Sequence, residues 1–250
     1  MRKIIFLFLS LMVFVSGIVT AAPIDTTPII VKSYGHAAFQ LNHGDTSIIF
    51  DPYLTGNPNN IATPEEIKTN YILVSHAHSD HLGDTFTIAK RSDATVISTF
   101  EVANLASEQG CKTYPQHIGG KANFDFGYVR ITPAQHGAGV AGGEACGFIV
   151  NFYGKTIYFA GDTGIFGDMA LLGTLEDIDY AFLPIGDNFT MGPKDAALAA
   201  GMLKAKKVIP MHYNTWPVIK QSAEDFKRDV EKRYNNIHVI TLQPGQSTTL

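Results

Sequence analysis

Six consecutive residues, His76-Ala77-His78-Ser79-Asp80-His81, constrain this chain more than any other stretch. They follow Tyr71-Ile72-Leu73-Val74, an apolar, β-branched run that reads as a short buried strand. Where a strand ends the chain is still extended and alternate residues point the same way, so His76 and His78 can grip one ion together. Asp80 and His81 come after a turn. They suit a second ion beside the first, at the roughly 3.5–4 Å spacing of ions that share a substrate. The alternative is a polar surface loop that happens to be rich in histidine. Neutral imidazole is a common metal ligand, and four ligand-type residues in six have few other uses.

Three more residues of ligand type stand in the same local context. His136, Asp162 and His212 each sit just beyond an apolar β-type run, as His76 does. In layered α/β folds, binding sites gather outside strand ends, so four such ends can converge on one centre. Taken singly, His136 or His212 reads as a packed or surface histidine; with the cluster they complete two sets. His76, His78 and His136 are assigned to one ion and Asp80, His81 and His212 to the other, with Asp162 bridging. Such sets leave positions open for water, as catalytic zinc sites do. His36, in Gly35-His36-Ala37, and Asp51, before Pro52, are candidates to orient ligands or touch substrate, as is Asn188. His43, in Asn42-His43-Gly44-Asp45, reads as a solvated turn residue.

The rest of the chain alternates between strand and helix patterns. Strands are expected at 29–31, 38–41, 47–50, 94–98, 124–132, 147–152, 156–159, 178–183, 207–210 and 237–242. Helices are expected from Thr63-Pro64-Glu65-Glu66, over 83–91, 100–109, 193–203 with Thr190 as a possible N-cap, and 226–234. The 54–63 loop, rich in Asn, Gly, Thr and Pro, is expected to border the site. Short links between alternating elements indicate helices packed on sheets, and 250 residues suffice for one such domain.

Residues 1–22 read as a secretory leader. Arg2 and Lys3 precede an apolar run from Ile4 to Val15, and Val19-Thr20-Ala21-Ala22 offers small residues for cleavage after Ala21 or Ala22. The domain is then 23–250, and the mature protein is expected in the periplasm or outside the cell, with no stable membrane insertion. Without Arg2 and Lys3 the formal charge moves from −4 to −6. A nucleic-acid partner, which calls for a basic patch, is disfavoured, and a small-molecule substrate is expected. Cys111 and Cys146 lack metal-site spacing, and whether they pair stays open.

The cluster, followed by His136, Asp162 and His212, resembles the metallo-β-lactamase superfamily of dinuclear metal hydrolases. The resemblance runs from Gly35-His36-Ala37-Ala38-Phe39 to Met211-His212-Tyr213-Asn214-Thr215. Within the superfamily it looks most like a bacterial branch of generic metal-dependent hydrolases, through Asp51-Pro52-Tyr53-Leu54-Thr55-Gly56-Asn57-Pro58, Gly161-Asp162-Thr163-Gly164 and Pro184-Ile185-Gly186-Asp187-Asn188-Phe189-Thr190-Met191-Gly192-Pro193. It implies an α/β, four-layer αββα sandwich with the ions at one edge of the sheets. True β-lactamases of this fold lack the bridging aspartate, so Asp162 sides with the hydrolase relatives. A histidine rather than a glutamate at 78 separates the chain from the flavodiiron branch.

The expected function is hydrolysis of an ester, lactone or phosphodiester-type bond in an exported small molecule. Two divalent ions, zinc first and manganese or iron as alternatives, would activate a bridging water. Asp80 and Asp162 are the expected catalytic carboxylates. The competing expectations are an iron-dependent redox enzyme of the persulfide-oxidising type and a metal-binding protein without turnover.

Overall fold

The computed structural model describes residues 26–250, so the leader at 1–22 and the domain boundary at 23 lie outside the described residues. Strands β1 (Ile30–Gly35), β2 (Ala38–His43), β3 (Thr46–Phe50), β4 (Tyr71–Leu73), β5 (Thr95–Thr99) and β6 (Lys112–Gln116) come first, with helices α1 (Ser79–Leu82), α2 (Thr85–Ser92) and α3 (Phe100–Glu108) between the later ones. Then follow β7 (Lys121–Phe124), β8 (Gly127–Pro133), β9 (Cys146–Phe152), β10 (Lys155–Phe159), α4 (Met169–Leu175), β11 (Tyr180–Pro184), α5 (Pro193–Met202), β12 (Lys207–Met211), α6 (Ala223–Arg233), β13 (His238–Val239) and β14 (Ser247–Thr249).

These strands build two seven-stranded sheets, ordered β14-β1-β2-β3-β4-β5-β6 and β13-β12-β11-β10-β9-β8-β7. Strands β14, β1, β2 and β3 pair antiparallel, and β3 to β6 pair in parallel. The second sheet follows the same plan, with β7 to β10 antiparallel and β10 to β13 parallel. Helices α2 and α3 pack on the first sheet, and α5 and α6 on the second. The result is the expected αββα sandwich.

Alternation along the strands divides the apolar residues between two cores. In β3, Ile48 and Phe50 join the large core between the sheets, whereas Ile49 joins the smaller core under α2 and α3. In β4 and β5, Leu73 and Ile97 face inward, and Ile72 and Val96 face the helices. Strands buried on both faces read as unbroken apolar runs, which is why these were legible. Between the sheets Phe50 stacks on Phe159 at 4.5 Å, and Phe39 meets Phe182 edge-on at 5.0 Å.

Several expectations on elements are corrected. The helix from Thr63 is a single 3-10 turn, Pro64–Glu66. The chain then extends to bury Ile67, and Arg91 donates to the carbonyls of Pro64 and Ile67. The helix expected from Gly83 begins at Thr85, because Gly83 has φ 41° and a Cβ there would fall 2.4 Å from the Pro52 carbonyl oxygen. The strand expected over 124–132 is β8 from Gly127, with Phe124 the last residue of β7, its hairpin partner, and 237–242 contains only His238–Val239. The α5 N-cap is Gly192 rather than Thr190. Strands β6 and β14 and helix α4 were not expected. His43 is buried and stacked on Tyr153 at 3.7 Å, not solvated, since the neighbouring strand end offers it an aromatic face. Cys111 and Cys146 are both free thiols. No helix among the described residues is long and apolar enough to cross a membrane.

Candidate metal centre

Strands β1, β3, β4, β8, β10 and β12 run the same way within their sheets, and the loops leaving their C-terminal ends carry the candidate residues. His36 follows β1, Asp51 β3, His76 to His81 β4, His136 β8, Asp162 β10 and His212 β12. Three of them, His36, Asp51 and His212, leave the strand with positive φ, 57°, 39° and 55°. That left-handed region is uncommon for non-glycine residues and is tolerated best by short polar side chains. It turns the backbone abruptly, so the side chain enters the centre while the chain departs.

Backbone bonds tie the loops together. The His212 amide donates to the His36 carbonyl at 3.0 Å, the Ala77 amide to Ala138 at 2.8 Å, and the Gly164 amide to Gln135 at 3.2 Å. The Thr163 hydroxyl accepts from the Gln135 amide at 2.9 Å, which joins the loops of His136 and Asp162. Gly139 passes so close to His78 that a Cβ would lie 2.6 Å from its backbone nitrogen, with φ 69°. Any larger residue there would push the His78 loop away.

The structure brings all seven expected ligands together. Nδ1 of His78 lies 2.9 Å from Nε2 of His76 and 3.3 Å from Nε2 of His136. Asp162 lies between the two sets: Oδ1 is 3.2 Å from Nε2 of His81, and Oδ2 is 3.1 Å from Nε2 of His212 and 3.5 Å from Nε2 of His136. Oδ2 of Asp80 is 3.8 Å from Nε2 of His212 and 3.9 Å from Nε2 of His81. Three groups have ligand atoms within 4.8 Å of one another: His76 with His78 and His136; His36 with Asp80, His81 and His212; and His76 with His81 and Asp162. Ligands at about 2.0–2.2 Å from a tetrahedral ion stand roughly 3.3–3.6 Å apart, so the spacing suits cations. Nε2 of His81, Nε2 of His212 and Oδ1 of Asp162 are also buried without a hydrogen-bond partner. Leaving such atoms unsatisfied costs about 1–3 kcal/mol each, and a cation between them satisfies all three.

Behind the candidate ligands stands a layer that orients them. Asp51 is fully buried; one oxygen accepts from the Ser75 amide at 2.7 Å, the other from the Ser75 hydroxyl at 2.6 Å and from Nδ1 of His81 at 2.7 Å. The Ser75 oxygen in turn lies 3.0 Å from Nδ1 of His76. With its proton given to Asp51, that oxygen accepts from His76. One carboxylate therefore fixes the tautomer of a histidine in each set, leaving both Nε2 lone pairs for an ion. His36 plays the matching part for Asp80, with Nε2 3.2 Å from Oδ2 and Nδ1 2.7 Å from the Thr215 hydroxyl.

The electrostatics favour a ligand set over a charged surface loop. Burial, with the charge of His81, pulls His76 down to about 2, and burial with the charge of His212 pulls His36 down to about 3. Burial lowers His136 as well. These imidazoles are neutral, as coordination needs. Burial would raise Asp80 and Asp162, but His212 and His36 beside it outweigh burial at Asp80, and the charges of His81 and His212 do so at Asp162, so both stay ionised. Burial lowers His81 and His212, yet Asp162 overrides it and holds both above the usual range. Those protons occupy places that a cation would take.

The centre forms the floor of a cavity of about 480 Å³ lined also by Tyr53, Ser79, Phe189, Trp216 and Val218. Sequence reasoning missed the apolar walls; their only signal was aromatic residues in loops just after strand ends. Asn188 is exposed and does not line the cavity, whereas its neighbour Phe189 does. The 54–63 loop contributes no lining residue, only Tyr53 just before it.

Residues 46–213 match the model of the β-lactamase superfamily domain. A UPF0173 metal-dependent hydrolase of Natranaerobius thermophilus is 51% identical over 213 residues, covering 85% of this chain and 96% of that protein. Another, of Desulforamulus reducens, is 51% identical over 222 residues and is covered to 96%. Among solved structures, the metallo hydrolase Igni18 of the archaeon Ignicoccus hospitalis is 34% identical with a TM-score of 0.84, covering 90% of this chain and 99% of its own. The metallo-β-lactamase fold protein YhfI of Bacillus subtilis, 11% identical with a TM-score of 0.69 over 89% of this chain and 100% of its own, shares the fold alone. Sandwich, strand-end ligands and sequence agree: the chain belongs to the metallo-β-lactamase superfamily and, within it, to the UPF0173 metal-dependent hydrolases.

Proposed function

We propose that the protein is a dinuclear metal-dependent hydrolase acting on a small exported molecule. The observation that carries this reading is Asp162, whose two oxygens lie 3.1–3.5 Å from ligand nitrogens of both sets. His76, His78 and His136 would hold one ion, Asp80, His81 and His212 the other, and Asp162 would be shared. When bound, two divalent cations, zinc by ligand type and manganese or iron by tolerance, supply an activated water and a Lewis acid for ester, lactone or phosphodiester cleavage.

The chain's own residues do the rest. Asp51 and Ser75 keep Nδ1 of His81 and His76 protonated, so neither ring can turn its lone pair away. Asp80 lines the cavity with its side chain 21% exposed, against 3% for Asp162. Held ionised and backed by His36, it is placed to accept a proton as the bond is cut. The walls of Tyr53, Phe189 and Trp216 limit water around a bound substrate.

Zinc-loaded protein is expected to cleave at least one substrate from a panel of 4-nitrophenyl esters, lactones and phosphodiesters, and chelator-stripped protein to cleave none. Asp162→Ala should lose about 10³-fold or more with the fold intact by circular dichroism. Activity that survives stripping would refute the reading. The leader motivates the exported substrate. N-terminal sequencing of the protein made in its host should begin at Ala22 or Pro23; an intact Met1 in the cytoplasm would place the substrate inside the cell.

A further inference from the structure

The cavity over the centre has one polar side and one apolar side. Its polar residues are the floor itself, His78, Asp80, His136, Asp162 and His212, together with Ser79. Tyr53, Phe189, Trp216 and Val218 make up the remainder, and among the described residues no Lys or Arg lines it. Tyr53 offers its ring and not its hydroxyl, which donates to the Gly56 carbonyl at 2.7 Å. Trp216 is held by an edge contact to His36 at 5.0 Å and lies 6.4 Å from Tyr53. Phe189 and Val218 are more than half exposed. Large exposed apolar residues that cluster at a cavity mouth mark a binding surface more often than scattered ones do.

Sites for phosphate esters of any size carry guanidinium or ammonium groups beyond their metals. Among the described residues this lining has neither; it has only the first residue of the single-turn helix α1, Ser79. A cavity of this volume takes a small drug-sized ligand, and its free wall rewards apolar area. We infer, building on the hydrolase reading above, that the substrate is an uncharged carboxylic ester or lactone with an apolar arm, seated against Trp216, Phe189 and Val218. The scissile carbonyl lies over the centre, water adds to its carbon, and the C–O bond breaks to give a carboxylate and an alcohol. One proton of that water ends on the departing oxygen, with Asp80 as its carrier, and the other leaves to solvent as the acid product ionises.

The test compares 4-nitrophenyl esters with bis(4-nitrophenyl) phosphate, which share a leaving group, on zinc-loaded protein of verified metal content. The kcat/KM for 4-nitrophenyl butyrate should exceed that for the phosphodiester by about 100-fold, and should rise by up to about fourfold per methylene from acetate to hexanoate, the gain expected for a methylene buried against apolar surface. Phe189→Ala and Trp216→Ala should flatten that rise, losing more on hexanoate than on acetate. Trp216 is the only tryptophan of the chain, so its fluorescence reports occupancy without turnover. Titration with the neutral ketone 4-phenylbutan-2-one should saturate, and about tenfold more weakly in Phe189→Ala. A preference for the phosphodiester, or a flat chain-length profile, would overturn the inference and leave the hydrolase reading standing. If neither substrate is cleaved with two ions bound, the hydrolase reading falls. The titration then still decides about the cavity: a saturable ketone signal supports an apolar ligand, and tighter binding of diphenyl phosphate refutes it.

Discussion

The two sheets share one strand plan, so β1 corresponds to β8 and β3 to β10. The pairs end in like residues: His36 and His136 follow the first pair, Asp51 and Asp162 the second. Their environments nevertheless differ. Asp162 meets three ligand nitrogens, whereas Asp51 meets only the far side of one histidine and the serine that supports another. The cause lies one strand further on. The loop after β4 carries His76, His78, Asp80 and His81, which stand between Asp51 and the centre. The corresponding loop after β11, residues 185–190, carries no histidine and instead supplies Phe189 to the cavity wall. On the proposed reading the same strand exit thus yields a ligand or its support, according to what the next loop places in front of it.

Breaking this comparison at its strongest point means removing each aspartate in turn. Asp162→Ala should empty both ion positions, seen as metal content near zero after dialysis, with the activity loss given above. Asp51→Ala should cost less, about 10–100-fold in metal affinity measured by competition with a chromogenic chelator, because it frees His81 and His76 to turn without removing a ligand. It should also lower the melting temperature of the metal-free protein, since the Ser75 amide and hydroxyl and Nδ1 of His81 lose their acceptor, at about 1–3 kcal/mol for each buried group left unpaired. Equal effects of the two substitutions would contradict the distinction between ligand and support.

Ser75→Ala sharpens the comparison within one set. It removes the support of His76 and leaves the direct bond from Asp51 to His81, so one of two affinities should fall, by a few-fold to tenfold. A parallel drop in both would mean that Ser75 acts through the backbone. A smaller effect concerns protons. His81 and His212 hold theirs above the usual histidine range, so loading at neutral pH should release protons and affinity should rise with pH, by at most about tenfold per pH unit for each proton released. Calorimetric titration in two buffers of different ionisation enthalpy measures the number released. A count of zero near pH 6.5 would contradict the raised positions of both histidines.

Much of this was legible because it rests on local pattern. The buried strands announce themselves as apolar runs, since they face a core on both sides, and ligand residues placed just after them converge by geometry. The supporting layer was less so. Ser75 and Thr215 are ordinary residues whose roles depend on partners 24 and 179 positions away, Asp51 and His36. The edge strands β6 and β14 are short and largely exposed, and β6 contains Pro115, so neither shows the alternation that betrays a strand. At the loop after β11, Asn188 is the candidate for orienting a ligand or touching substrate, yet its aromatic neighbour Phe189 lines the cavity.

The most direct test of two ions sharing Asp162 is anomalous diffraction from crystals of the zinc-loaded protein, recorded on both sides of the zinc absorption edge. Two zinc peaks are expected, about 3.5–4 Å apart, one among His76, His78 and His136, the other among Asp80, His81 and His212, with Asp162 reaching both. A single peak, or a single iron found in protein purified without added metal, would contradict the dinuclear hydrolase.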